Sequence, residues 1–207
     1  MIDKENAIKN LIDLDSIFRK NKVRYWIQDG TLLGYYRDSD FISYDNDVDI
    51  GIKWSDFTCN TMIDVINNGF TLYATSGLLE DSLVINIIKR GVSVDLYFYY
   101  PKDNYYFYHT AVVKKPYADG RRRIDFTYMN FDVREIEFLG SKFFAPHNIE
   151  YFLETKYGKD WKTPDTEWIS SVSPLNRTLT TVSISKKRSR LEFTEWLNMQ
   201  CAVRLIK

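Results

Sequence analysis

The chain has 207 residues, of which 44% are hydrophobic and 16% aromatic, and this length and apolar share predict one globular domain with its own core. Lysine plus arginine equals aspartate plus glutamate at 28 each, so the chain has no net positive charge to recruit nucleic acid. Its two cysteines, Cys59 and Cys201, fit neither a disulfide framework nor a metal-binding spacing. No apolar run approaches the roughly twenty residues that span a bilayer, and we expect a cytoplasmic protein.

The N-terminal part of the chain predicts a helix, a strand and a second, short helix. Apolar residues recur at helical spacing over residues 4–20, and Asp3 is placed to cap that helix. Residues 23–27 have the composition of a strand. Residues 29–34 after them predict a turn followed by a short helix.

A second strand and helix follow. Residues 47–52 alternate in polarity, with valine and isoleucine on one face and Asp47 and Asp49 on the other. Ser55 is predicted to cap a helix that continues to Asn67.

The rest of the chain predicts strands, loops and two further helices. Residues 82–88 and 92–99 are rich in β-branched and aromatic residues, and the short basic turn between them predicts an antiparallel hairpin. Short strands and loops are expected up to residue 144, followed by a compact helix between Asn148 and Gly158. Residues 163–185 are rich in serine, threonine and proline and predict a loop or weakly ordered arm.

Aspartates at positions 45–49 form the most informative chemical pattern. Because side chains alternate along a strand, Asp47 and Asp49 point to the same side, and Asp45 joins them if the strand begins early. Carboxylates this close repel one another, and Mg²⁺ is a suitable counter-ion because it takes oxygen ligands and keeps positions open for water and phosphate. The competing interpretation is a solvated acidic turn, which the interleaved apolar residues disfavour.

Asp95 repeats this arrangement on the later strand. An aspartate in so apolar a strand is disfavoured by propensity, and an edge position would explain it without any function. If its strand lies beside the strand of Asp47 and Asp49, the three carboxylates converge. Two can then hold a metal and the third can take a proton from an attacking hydroxyl. The pattern leaves open whether Asp95 is a base or a metal ligand.

Groups that could bind phosphate are predicted on either side of the acidic strand. Gly30 and Thr31, after a strand and at the start of a helix, offer backbone N–H groups and a hydroxyl. Arg37 can bind a phosphate with two hydrogen bonds, and Arg122 is our candidate within the triple arginine at 121–123. Both arginines can equally be solvated surface residues.

Two ordered blocks of the sequence resemble the LicD/fukutin family. The first block consists of Gly30-Thr-Leu-Leu-Gly34, Arg37, Phe41-Ile42 and Asp45-Asn-Asp47-Val-Asp49. The second consists of Phe144-Ala-Pro146, Asn148, Tyr151-Phe-Leu-Glu154, Tyr157-Gly-Lys-Asp-Trp161 and Pro164. With Asp95 between them, the blocks cover most of residues 24–164.

The resemblance implies an α+β fold with a nucleotidyltransferase (polymerase-β-like) core, in which helices flank a mixed sheet. It implies a catalytic domain over residues 1–165, with residues 166–207 forming a loop and C-terminal helical extension of the same domain. In the family pattern, Asp47, Asp49 and Asp95 match the metal-binding and catalytic carboxylates, and Asp45 the first acid of the run.

The implied reaction moves a phosphorylated small alcohol (phosphocholine, ribitol phosphate or glycerol phosphate) from a CDP-linked donor to a hydroxyl of a glycan or glycolipid. Magnesium, or manganese in its place, would be the cofactor, and cell-surface polysaccharide biosynthesis the setting. The chain departs from the family pattern after Arg37, where Asp38-Ser39 replaces the frequent His-Gly, and before the acids, where Ser43-Tyr44 replaces Pro-Trp. These departures leave the transferred alcohol open.

Two other functions stay open. A small-molecule nucleotidyltransferase that moves a nucleotide from a nucleoside triphosphate would use the same carboxylates, and a non-catalytic glycan- or nucleotide-binding module would bind without turnover.

The C-terminal segment, residues 186–207, begins with a basic cluster and continues with apolar residues at near-helical spacing. It predicts a helix docked on the domain. The alternative is weak peripheral contact with an anionic inner membrane face.

Overall fold

The structure is a computed structural model that describes residues 2–111, 121–170, 172–184 and 186–201. Within these ranges helices flank a mixed β-sheet, which confirms the predicted α+β class. The helices are α1 (Lys4–Lys20), α2 (Asp29–Asp38), α3 (Cys59–Asn67), α4 (Ile149–Tyr157) and α5 (Lys186–Cys201). The strands are β1 (Tyr25–Ile27), β2 (Asp47–Lys53), β3 (Thr71–Ser76), β4 (Val84–Lys89), β5 (Val92–Lys102), β6 (Tyr105–Ala111), β7 (Arg121–Met129), β8 (Val133–Phe138), β9 (Ser141–Pro146) and β10 (Arg177–Ile184).

Strand β5 organises the main sheet. Its first part lies between β2, to which it is parallel, and β4, to which it is antiparallel, so the predicted hairpin of β4 and β5 is confirmed. Its last three residues pair with β6, and the sheet continues through β7 to β10. Strands β8 and β9 form a separate two-stranded sheet. The parallel pairing of β2 with β5 places Asp49 directly opposite Asp95.

The apolar residues of β2 and β5 form the centre of the core. Val48, Ile50 and Ile52 are fully buried on one face of β2, as the alternation predicts. Helix α1 covers this region with its own buried stripe, which includes Leu11 and Leu14, and Asp3 caps it by accepting a hydrogen bond from the backbone of Asn6. The acidic face of β2 is thereby backed by a packed core.

Two predicted elements differ in the structure. Residues 54–56 form a 3₁₀ turn, and α3 begins at Cys59 with Thr58 as its N-cap residue. The prediction that Ser55 caps this helix was therefore wrong. Thr58 and Thr61 form a reciprocal capping box, which stabilises this start. The predicted loop over 163–185 contains β10, which pairs with β7. Threonine, valine and isoleucine in β10 favour a strand once a partner is present.

Helix α5 docks on the domain beside α3 and β3. Phe193 and Leu197 are fully buried, and the ring of Trp196 lies 5.7 Å from that of Trp54. Leu191 is exposed. The predicted C-terminal helix is confirmed over 186–201, while residues 202–207 and the side chains of 186–188 lie outside the described residues. In the described part of the chain, no helix has the length and hydropathy needed to cross a membrane.

Candidate active site

Three carboxylates meet at the start of β2. Asp47 and Asp49 project from alternate positions of the strand, and Asp45 lies in the loop that precedes it. Each offers one oxygen, and the three oxygens lie within 4.8 Å of one another. Asp49 is buried and the other two are partly exposed, so the cluster opens to one side. An all-oxygen set of this kind fits a hard divalent cation such as Mg²⁺ or Mn²⁺.

Burial and mutual repulsion raise the pKa values of two of these carboxylates, Asp47 and Asp49, so both are hard to ionise without a cation. Burial, followed by the charge of Asp45, raises the pKa of Asp47 to about 7. Burial also raises the pKa of Asp49 well above its usual range, with Asp29 as the largest charge contribution. A divalent cation would replace the protons and relieve the repulsion.

The turn into α2 supports the cluster through its first residues. The backbone N–H of Gly30 donates to Oδ2 of Asp49 at 3.0 Å. A Cβ at position 30 would lie 2.3 Å from Oδ2 of Asp45 and 3.2 Å from Oδ2 of Asp49, so glycine permits the close approach of both acids. The N–H predicted to contact phosphate therefore orients a carboxylate.

Thr31 has a different place from the one predicted. Its hydroxyl accepts a hydrogen bond from the backbone N–H of Asp49 at 2.9 Å, and the residue is buried. Thr31 does not line the cleft above the acids, whereas Gly30 does. The hydroxyl thus ties α2 to β2, and a contact with a bound phosphate does not fit this placement.

Asp95 lies beside the cluster and has its own hydrogen-bond partners. Nδ2 of Asn86 donates to one carboxylate oxygen, and the hydroxyl of Tyr97 donates to the other at 3.3 Å. Burial raises the pKa of Asp95, while these two hydrogen bonds act in the opposite direction. Its strand lies next to β2 as expected, but Asp95 is outside the set of three oxygens. No local sequence pattern identifies Asn86, because its position opposite Asp95 depends on the register of β4 and β5.

A cleft of about 1070 Å³ opens above the carboxylates. One wall comes from α2 and the loop before β2, and the other from the end of α4 and residues 160–170. Arg37 lies in this cleft, where its guanidinium donates two hydrogen bonds to Asp38, at 2.9 and 3.1 Å. Tyr44 lines the same side. Of the four positions that depart from the family pattern, 38, 39, 43 and 44, position 44 lines the cleft and position 38 contacts Arg37 in its wall.

Residues 22–148 match the family model described as LicD/FKTN/FKRP, nucleotidyltransferase domain. The chain belongs to this LicD family. It is 29% identical over 172 residues to the human ribitol-5-phosphate transferase FKTN, a match that covers 82% of this chain and 36% of that protein. It is 28% identical over 143 residues to the human ribitol 5-phosphate transferase FKRP, covering 66% of this chain and 28% of that protein. This LicD-family chain therefore spans about a third of the length of these relatives.

Among solved structures, the lincomycin-bound lincosamide antibiotic adenylyltransferase LnuA aligns with the LicD-family chain at a TM-score of 0.45 and 14% identity. The alignment covers 67% of this chain and 78% of that one.

Arg122, the remaining predicted site residue of this LicD-family chain, lies on β7, where its backbone is paired with Ser183 of β10. Its side chain lies outside the described part of the structure. The phosphate contact of Arg122 therefore stays a prediction.

The cleft also contains an ion pair, between Lys156 and Asp29, that was not predicted from the sequence. Lys156 on α4 is buried, and its Nζ lies 2.5 Å from Oδ1 of Asp29, which directly precedes Gly30. Asp29 is itself buried and has a left-handed backbone, with φ of 47°. Helical spacing offers one signal for Lys156, because it follows the buried Phe152 by four residues and therefore lies on the same face. Its partner, Asp29, lies far from it in sequence, so no local sequence pattern predicts the ion pair.

Proposed function

We propose that this chain is the catalytic unit of a metal-dependent phosphotransferase. It would move a phosphorylated small alcohol from a CDP-linked donor to a hydroxyl of a glycan or glycolipid. The observation that carries the proposal is the set of three carboxylate oxygens within 4.8 Å of one another, below a cleft of about 1070 Å³, in a LicD-family chain. We also infer that its core is of the nucleotidyltransferase (polymerase-β-like) type.

Ribitol phosphate is the transferred group that we favour. Both human relatives are named as ribitol phosphate transferases, although the chain spans only about a third of their length. Glycerol phosphate is chemically close to it, since both are neutral polyols joined to one phosphate. Phosphocholine differs because its alcohol carries a positive charge.

Asp45, Asp47 and Asp49 would hold Mg²⁺, or Mn²⁺ in its place. The ion would neutralise charge on the donor's phosphates during transfer. Gly30 would fix the orientation of Asp49 through its N–H group, because this hydrogen bond is already formed. This arrangement leaves the open side of the cluster facing the cleft.

Asp95 would act as the base that takes the proton from the acceptor hydroxyl. Asn86 and Tyr97 hold its carboxylate from the side, which fixes its orientation next to the cluster. The hydroxyl then attacks the phosphorus in line and CMP leaves, with positioning and electrostatic stabilisation supplying most of the acceleration. In this assignment Asp95→Asn should retain Mg²⁺ and CDP binding and lose transfer by about a hundredfold or more. Loss of metal binding in this variant would instead make Asp95 a ligand.

A cytoplasmic location, with weak contact to the inner membrane face through the C-terminal segment, remains part of the proposal. Its support is the basic composition of residues 186–190, which would favour anionic lipid. The docking of α5 through Phe193 and Leu197 uses its apolar face for the domain. We assign the lipid contact mainly to charge, while Leu191 and Met199 are apolar residues of α5 that are also exposed.

Product analysis with purified protein tests the reaction. Incubation with Mg²⁺ and CDP-ribitol, CDP-glycerol or CDP-choline, each with a glycan acceptor, should release CMP and give a phosphoalditol-modified product with one of the first two. Release of pyrophosphate from a nucleoside triphosphate would indicate the nucleotidyltransferase alternative. Tight binding of CDP-ribitol without any turnover would indicate a binding module.

A further inference from the structure

The positive charges of the cleft point to a residue that no sequence motif identifies. Among the described residues that line the cleft, two are cations, Arg37 and Lys156. Arg37 already donates two hydrogen bonds to Asp38, and only 11% of its side chain is exposed. Lys156 is the cation that lies at the side of the cleft near Gly30, where α2 begins.

The surroundings of Lys156 hold its ammonium group between two aromatic rings and the carboxylate of Asp29. Its side chain is 7% exposed, and the ammonium lies 5.3 Å from the ring centroid of Phe126 and 5.8 Å from that of Tyr157. Aromatic faces on these sides favour a cation and restrict its movement. Asp29, which also lines the cleft, holds the same ammonium at 2.5 Å.

Burying the charge of a lysine next to an aspartate has a desolvation cost that lowers the stability of the fold, and a functional contact of that charge would explain why it is kept. Burying a charge pair gains little stability over apolar packing, so the pair of Lys156 and Asp29 is not explained by stability alone. An ammonium has three N–H donors, and contact with Asp29 is therefore compatible with contact to an oxygen of a bound anion. Lys156 and Asp29 line the same cleft as the three carboxylates, so phosphates bound above the carboxylates would share that cleft with the ammonium.

We propose that Lys156 binds the diphosphate of the nucleotide-linked donor, and that Asp29 holds its ammonium in place for that contact. The inference rests on the proposed function for the presence of a nucleotide diphosphate in this cleft. It assigns Lys156 as a substrate-binding residue and Asp29 as a positioning residue. The motif residues Gly30 and Thr31, by contrast, are already engaged with Asp49.

Four variants test this assignment by calorimetry with CDP and Mg²⁺, and separately with inorganic pyrophosphate and Mg²⁺. Lys156→Met should weaken the binding of both by at least tenfold, because a charge-assisted hydrogen bond to phosphate is lost. Asp29→Asn keeps the ammonium but removes the charge that holds it in place, so it should weaken the binding of both ligands by about three- to fivefold, less than Lys156→Met does. The double variant Asp29→Asn/Lys156→Met leaves neither charge of the ion pair buried without its partner, so it should fold. Because the ammonium is absent, it should still bind both ligands weakly. Lys162→Met removes the same charge from a side chain that is 63% exposed, and it should bind like the wild type.

A purely structural ion pair predicts a different pattern. Lys156→Met and Asp29→Asn would then lose affinity for CDP and pyrophosphate to the same extent, and the double variant would recover it. This pattern would overturn the proposal. Mn²⁺ binding without nucleotide, followed by electron paramagnetic resonance, should be unchanged or tighter in Lys156→Met, and a matching loss of Mn²⁺ would also overturn it. A wild-type protein that bound neither CDP nor pyrophosphate would do the same, whatever the transfer assay gave. If CDP binding depends on Lys156 but no CDP-alcohol is turned over, the proposed function fails and this inference stands.

Discussion

In the proposed metal site, single residues at and near the start of β2 control the arrangement of the carboxylates that would bind a cation. The carboxylates of Asp45 and Asp49 approach the backbone of Gly30 so closely that even a methyl group would displace them. The nearest atom is the end of the Asp45 side chain, which can turn away while the backbone stays in place. The site is therefore more sensitive to this position than the fold is.

Gly30→Ala should weaken Mg²⁺ binding by at least tenfold while the protein still unfolds cooperatively. The added Cβ would lie 2.3 Å from Oδ2 of Asp45, so this oxygen must leave its place in the cluster. Calorimetric titration with Mg²⁺, beside thermal unfolding of the same sample, separates the two effects. Unchanged Mg²⁺ affinity in a folded Gly30→Ala variant would show that Asp45 is not a ligand.

The raised pKa of Asp47 predicts how stability depends on pH. Its pKa is about 7 in the folded chain against an ordinary value of 3.8, so the native state binds the proton more tightly than the unfolded state does. Without metal, the free energy of unfolding should fall as the pH rises from about 4 to 7. Urea titrations across this range should show that slope, and Asp47→Asn should reduce it. A slope of opposite sign, or one unaffected by Asp47→Asn, would contradict this electrostatic account.

At the scale of elements, the contact between α2 and β2 depends on the Thr31 hydroxyl. Thr31→Val keeps the shape of the side chain and leaves the buried N–H of Asp49 without this acceptor, at a cost of about 1–3 kcal/mol. The free energy of unfolding should fall by that amount in Thr31→Val and much less in Thr31→Ser, which retains a hydroxyl. CDP affinity, measured on the folded protein, should change little in either variant. Weaker CDP binding without a loss of stability would restore the predicted phosphate contact.

Helix α5 is an element whose docking can be tested in the same way. Phe193 is fully buried, whereas Leu191 on the same helix is 57% exposed. Phe193→Ala should lower the free energy of unfolding by about 3–5 kcal/mol, and Leu191→Ala by less than about 0.5 kcal/mol. Equal effects of the two substitutions in denaturant titrations would show that the helix does not pack through this face.

Features of local sequence were predictable from the chain, and features of long-range pairing were not. The alternation that places Asp47 and Asp49 on one face lies within a single strand, and the hairpin of β4 and β5 lies within one continuous segment. The pair of Asp29 and Lys156 joins residues far apart in sequence, and β10 becomes a strand through its pairing with β7. Local pattern also cannot show that the Thr31 hydroxyl faces a neighbouring strand, because that contact depends on how α2 packs on β2.

For the whole molecule, the family match and the acidic cluster support the same reaction class from different directions. The match covers residues 22–148, which include every residue of the cluster and also Asp95. Lys156 and part of the cleft wall lie beyond it, on α4 and residues 160–170. The proposed donor site therefore extends past the matched region.

CMP release from CDP-ribitol, measured with Mg²⁺ and a glycan acceptor for the wild type and for Asp47→Asn, tests the central claim most directly. The wild type should release CMP in step with product, and this release should stop with chelator. Asp47→Asn should lower the rate by at least about a hundredfold in a protein that is no less thermally stable than the wild type without metal, because one metal-binding charge is lost while carboxylate repulsion is relieved. CMP release that persisted in Asp47→Asn, or that ignored chelation, would contradict the account.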